Sequence, residues 1–148
     1  MIGTDALVAG CALLLAVGGG LVAHEWSHAL ALKLARVEYT VSYFPDRTDG
    51  VLAMLASCPW AAVHPQPTGR EPPWLLRLAA MMPLVLALPV LVLGAAGSLP
   101  TDHAAGTAFV IGWLACTIPS PQDFSVAFYA HRALRDADDA GLIDTQPR

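Results

Sequence analysis

Three long apolar stretches divide the chain. The first runs from about Ala6 to Ala35, and its opening part, Ala6 to Ala23, carries no charge. The second, Leu78 to Gly97, is uncharged throughout. The third, Ala104 to about Ala130, has Asp123 as its one charged residue. A helix needs roughly 20 apolar residues to cross a bilayer core, and each stretch reaches that length. The pattern predicts an all-α, polytopic membrane protein with a core of three transmembrane helices.

Between the first two stretches the period changes. Val37, Tyr39, Val41 and Tyr43 alternate with Glu38, Thr40 and Ser42. A period of two reads as a strand. Pro45, Asp46, Asp49 and Gly50 then read as a turn. The apolar run Val51 to Val63 is too short to span as a helix. It reads as a second strand, completing a short β-hairpin between helices 1 and 2, or as a stretch lying at the membrane surface. Pro65, Pro67, Pro72 and Pro73 make the approach to the second span irregular. Pro83 and Pro89 are expected to bend that span. Residues 1–135 are expected to form one membrane-embedded domain, and 136–148 a polar tail of frayed helix and then disordered chain.

Composition supports lipid as the solvent. Of 148 residues, 55% are hydrophobic and 14% charged, with a net charge of −4. A soluble domain carries about 25% charged residues. The negative balance comes largely from Asp136, Asp138, Asp139 and Asp144 in the tail. With no basic run, nucleic acid is not an expected partner. Cys11, Cys58 and Cys116 are widely separated and form no Cys-x-x-Cys pair, so they suggest neither a disulfide framework nor a thiolate zinc site. The first stretch reads as a span rather than a signal peptide. No Lys or Arg precedes it, and Asp5 has the wrong sign.

Basic residues set the expected orientation. Lys33 and Arg36 end the first stretch, and Arg47, Arg70 and Arg77 lie before or at the start of the second. Arg132 and Arg135 follow the third, whereas the turn Ser98 to His103 has no Lys or Arg. The N-terminus is therefore expected outside and the C-terminus in the cytoplasm, as for a multi-pass protein of the cell membrane.

The chemistry begins at His24-Glu25-Trp26-Ser27-His28. Residues four apart share a helix face, so both imidazoles reach one metal ion. Glu25 is rotated about 100° from His24, which sets its carboxylate beside the metal as a proton acceptor. An ionisable group inside a span is a functional hypothesis by default. A third ligand is needed, and Asp123 stands out as the lone charge of the third stretch. An Asp at the centre of a span costs about 2.5–3.5 kcal/mol on insertion scales. Structural zinc sites bind with apparent values of about 10–16 kcal/mol, enough to offset such a cost.

Depth agrees. His28 precedes Arg36 by about 12 Å of helix, and Asp123 precedes Arg132 by about 13–14 Å. If both arginines mark one interface, His28 and Asp123 lie at matching depth. Pro119 and Pro121 break the helix ladder nearby. Ile118 to Asp123 therefore reads as an unwound corner facing a polar site. His64, His103 and His131 read as surface residues, and Trp60, Trp74 and Tyr129 as interfacial anchors.

On these motifs, across about Ala6 to Ala130, the chain resembles the site-2 protease family of intramembrane zinc metalloproteases. That family carries His-Glu-x-x-His on the first of three core helices and a proline-rich motif ending in Asp-Gly on the third. The resemblance implies a single Zn2+ held by His24, His28 and Asp123, with Glu25 as general base. It implies hydrolysis of peptide bonds in or near transmembrane segments of membrane-protein substrates. It also implies a site open to the cytoplasm, with substrate pairing along the Val37–Tyr43 strand. The chain departs from the family pattern at Cys116, where Asn is expected, and at Phe124, where Gly follows the ligand. The step from Pro121 to Asp123 is also one residue shorter than the family's. Two further readings stay open: a catalytically silent zinc-binding relative that binds membrane partners, and a metal-handling membrane protein.

Overall fold

A computed structural model describes residues 2–43, 61–68 and 71–144. It contains helix α1 (Ile2–Leu34), strands β1 (Glu38–Tyr43) and β2 (Ala61–Gln66), and helix α2 (Pro73–Met81). A 3-10 turn (Met82–Ala87), α3 (Leu88–Ala95), α4 (Ala104–Ala115) and α5 (Pro121–Asp144) follow. Two continuous helical stretches, Gly3–Leu34 and Pro73–Ala95, are long and apolar enough to cross a membrane. Only 11% and 17% of their most apolar windows are buried. By length and composition both are compatible with crossing a membrane.

Prolines decide where the second and third stretches bend. Pro83 lacks the N–H that would pair with the Ala79 carbonyl, and its ring crowds that carbonyl. The ladder tightens there: the Met82 N–H bonds Ala79 O, and six residues follow as 3-10 helix. Pro89 sits in the first turn of α3, where a missing N–H costs nothing. The third stretch, Ala104 to Ala130, is two helices, divided within the corner expected over Ile118 to Asp123. α4 ends at Ala115 because Pro119 cannot return a hydrogen bond to it, and α5 starts at Pro121. α5 then runs past Arg135 to Asp144, so the tail expected as frayed helix and then disordered chain is helical over 136–144. Ala137 and Ala140 favour that continuation. Residues 145–148 lie outside the described residues.

The hairpin is antiparallel, with Thr40 opposite His64 and Val41 opposite Val63. β2 uses only the last residues of the Val51–Val63 run, then continues through His64, Pro65 and Gln66; residues 51–60 lie outside the described residues. Pro65 fits a strand with an unpaired side.

The chain forms two compact units. One unit comprises Met1–Glu25 and Pro83–Ile118. Small residues bring its backbones close. A Cβ on Gly112 would stand 3.1 Å from the Ala16 Cβ, and one on Gly20 would stand 2.8 Å from the Cys116 Cβ. Close approach through Gly and Ala is the usual means of packing helices where lipid supplies no hydrophobic drive. The Trp113 indole N–H donates to Leu86 O at 2.9 Å.

The other unit comprises Trp26–Met82 and Pro119–Arg148. Its core joins Leu32, Val37, Leu76, Ala79, Ala130 and Leu134. The Arg77 Nε donates to the Ala127 carbonyl at 3.1 Å, tying α2 to α5. α1 ends in a Schellman motif: Val37 N–H reaches Leu32 O at 3.0 Å and Arg36 N–H reaches Lys33 O at 3.1 Å. Leu32 and Val37 both join the core, which supplies the apolar contact that accompanies this cap. Arg36 takes the left-handed conformation (φ 58°) that glycine adopts freely. The same cap closes α3 with Gly97 (φ 66°) in the equivalent place.

Two stability predictions follow from these contacts. Arg36→Gly is expected to raise stability by about 1 kcal/mol by removing left-handed strain. Heat or SDS unfolding in detergent checks it, and a loss of stability would mean the Arg36 side chain matters more than its backbone. Gly20→Ala is expected to destabilise by about 1–3 kcal/mol through overpacking against Cys116. Gly19→Ala, with open space around its Cβ, should gain about 0.5–1 kcal/mol. Equal effects at the two glycines would rule out the close approach at Gly20.

Candidate metal centre

Helix α1 buries one stripe. Ala16, Gly20, His24, His28 and Leu32 recur every four residues and are all buried, whereas Leu14, Val22, Trp26 and Leu30 are exposed. Positions four apart lie on one face, so both histidines point to protein and away from the outer surface. The apolar residues around them give the helix its membrane-compatible surface. The histidine face is the exception within it.

Backbone carbonyls orient both rings. His24 Nδ1 lies 2.7 Å from Cys116 O, and His28 Nδ1 lies 2.7 Å from Ala79 O. A carbonyl only accepts, so each Nδ1 carries the hydrogen and donates it. In the neutral ring the lone pair is then on Nε2, which is the form that binds a metal. A second-shell bond of this kind fixes both the tautomer and the ring plane.

Asp123 is held by the start of α5. Ser120 is the N-cap, Pro121 the first helical residue and Asp123 the third. The Asp123 N–H donates to Ser120 Oγ at 3.2 Å, and the Ser120 N–H donates to Asp123 Oδ2 at 2.6 Å. This reciprocal pair is a capping box. It fixes one carboxylate oxygen and leaves Oδ1 3.2 Å from His28 Nε2. Two ligands on a tetrahedral zinc at about 2.0–2.1 Å stand about 3.3–3.4 Å apart, close to that separation.

The donor atoms of His24, His28 and Asp123 all lie within 4.8 Å of one another. Two imidazole nitrogens and one carboxylate oxygen form a donor set that suits zinc with a position left open. The His28–Asp123 contact alone would be an ordinary pair, hydrogen-bonded whenever Nε2 also carries a hydrogen. Glu25 is buried beside His24 at 9% exposure but is not among the clustered donors.

The remaining sequence candidates lie elsewhere. His64 is exposed on β2, and His131 is exposed on α5. His103 caps α4 by accepting the Gly106 N–H at 3.1 Å. Tyr129 is exposed beneath the Arg132 guanidinium, and Trp74 is exposed on α2; Trp60 lies outside the described residues. Thr117 Oγ1 donates to Leu114 O at 2.8 Å, within its own turn. The carbonyls of Ala79 and Cys116 and the hydroxyl of Ser120 complete the site and were not singled out in the sequence. Ser120-Pro121-Gln122-Asp123 does carry a legible capping pattern. The two carbonyls carry no side-chain signal. No family model, curated protein or solved structure matches this chain.

Proposed function

We propose that the chain is a minimal membrane-embedded zinc metalloprotease, hydrolysing peptide bonds in or near transmembrane segments. The observation that carries this reading is the convergence of His24, His28 and Asp123 on the protein-facing side of an apolar helix, with both ring tautomers set for ligation. His24 and His28 would offer Nε2, and Asp123 would offer Oδ1. When bound, Zn2+ supplies Lewis-acid polarisation of the scissile carbonyl and an acidified water. Glu25, next to His24, accepts a proton and returns it to the leaving amine. Its burial limits competing bulk water. The capping box holds Asp123 still while its other oxygen faces the site.

The reading includes three spans, the third broken at Pro119 and Pro121, with the N-terminus outside and α5 leading into the cytoplasm. Broken backbone at membrane depth is tolerated where it is buried or lines a polar cavity. Cys116, Thr117 and Pro119 are all buried at that break. The likeness to the site-2 protease family belongs to this proposal and rests on the His-Glu-x-x-His helix and the proline-flanked Asp123.

A second reading has one observation in its favour. At Cys116, where the family pattern has Asn, the thiol lies 3.6 Å from the Val17 carbonyl and offers no amide to a substrate. A zinc-holding relative that binds membrane partners without cleaving them would need no such amide.

Metal analysis of the purified protein tests the centre. Wild type should carry one zinc per chain, and His24→Ala and Asp123→Ala should each lose it. Retention by Asp123→Ala would remove the third ligand and with it the family likeness. Cleavage of a panel of single-span helices separates the two readings. Wild type should cut at least one helix. Glu25→Gln should keep its zinc and cut about 10²–10⁴-fold more slowly. Zinc-loaded wild type that cuts none would favour the silent relative.

A further inference from the structure

We infer that Pro83 and Pro119 are positioning residues for the metal centre, because they withhold helical partners from the two carbonyls that orient its histidines. The inference deepens the metal reading and rests on it for affinity, but not for the state of the rings.

The chain's arithmetic states the case. In a regular helix the Ala79 carbonyl accepts from the residue four positions on, which is Pro83 and has no N–H. The proline ring also presses on that carbonyl and tilts it out of the ladder. Ala79 O keeps one short-range donor, the Met82 N–H, and takes a second from His28 Nδ1 at 2.7 Å. The Cys116 carbonyl is treated the same way by different residues. Three positions on is Pro119, again without an N–H. Four positions on is Ser120, whose N–H is given to Asp123 Oδ2 at 2.6 Å. Cys116 O takes the donor within reach, His24 Nδ1, at 2.7 Å.

Two separate helix breaks therefore do one job. Each leaves a carbonyl in buried surroundings, and each carbonyl is met by one imidazole of the His-Glu-x-x-His pair. Pro83 and Pro119 are themselves buried. Pro89 makes the contrast: its counterpart four residues back is Val85, in the 3-10 stretch away from either histidine's partner. The capping box adds a link. By drawing the Ser120 N–H to its own carboxylate, Asp123 helps to release the carbonyl that orients His24. The third candidate ligand thus shapes the first through the backbone.

The test uses the full chain in detergent or nanodiscs, labelled with ¹⁵N-histidine and stripped of metal, and reads whether Nδ1 of each ring carries a hydrogen. Wild type should show His24 and His28 as Nδ1–H tautomers. Pro83→Ala should shift His28 toward a mixture and leave His24 unchanged; Pro119→Ala should do the reverse. Zinc affinity, by competition with a chelator, should fall about 10–100-fold in each, the usual effect of losing a second-shell partner. Pro89→Ala should change neither readout. A folded Pro83→Ala or Pro119→Ala with wild-type tautomers and wild-type affinity would overturn the inference. So would a wild type without a hydrogen on Nδ1 of His24 or of His28, which needs no variant to fold. A wild type that binds no zinc but shows both Nδ1–H rings would sink the metal reading and leave the role of the prolines standing.

Discussion

A peptide carbonyl inside an apolar segment has no water to turn to. When its helical partner is missing, it must find another donor or remain unsatisfied at a cost of about 1–3 kcal/mol. The candidate centre is arranged around two carbonyls at such breaks: Cys116 O, which His24 supplies with a donor, and Ala79 O, which keeps the Met82 N–H and accepts His28 as a second donor. One bond does two things. It satisfies the backbone at a break, and it fixes which imidazole nitrogen remains to bind a metal. Helix breaks that would otherwise weaken an apolar segment thereby become the frame of the site.

Asp123 obeys the same economy of groups. As the third residue of α5 it closes a capping box with Ser120, a role any carboxylate there could fill. Its second oxygen then faces His28. A carboxylate held at one oxygen loses little further freedom when the other is engaged. A short, stiff helix start can therefore aim a charge that a mid-helix side chain would hold more loosely. Small residues support this from the other side. Ala16 and Gly20 share the buried stripe of α1 with the histidines, and the close approach at Gly20 brings the Cys116 backbone within reach of His24.

The legibility of the molecule in its sequence varies with the range of the interaction. His24 and His28 could be read together because they are one helical turn apart. The strand at Val37–Tyr43 was legible from its alternation and begins at Glu38 in the structure. The bend near Pro83 and the break near Pro119 were expected from proline chemistry. The third stretch is continuous in composition, and the backbone divides it where Pro119 and Pro121 stop the ladder. The polar character of residues 136–148 suggested frayed helix and then disorder, yet α5 carries on to Asp144, since a helix already started extends at little cost through alanines. The capping box at Ser120–Asp123 is local, a Ser at the N-cap and a carboxylate three residues on.

The sequence by itself determined the apolar stretches, the helix period that puts two imidazoles on one face, and the proline positions where carbonyls lose their partners. These depend on covalent structure and on neighbours within a few residues. Only the tertiary structure decided that the freed carbonyls belong to His24 and His28, that Asp123 Oδ1 meets His28 Nε2, and hence which nitrogens face inward. Those pairings join residues 51 to 95 positions apart. A hydrogen bond at that separation is set by how packed backbones approach, which no local pattern encodes.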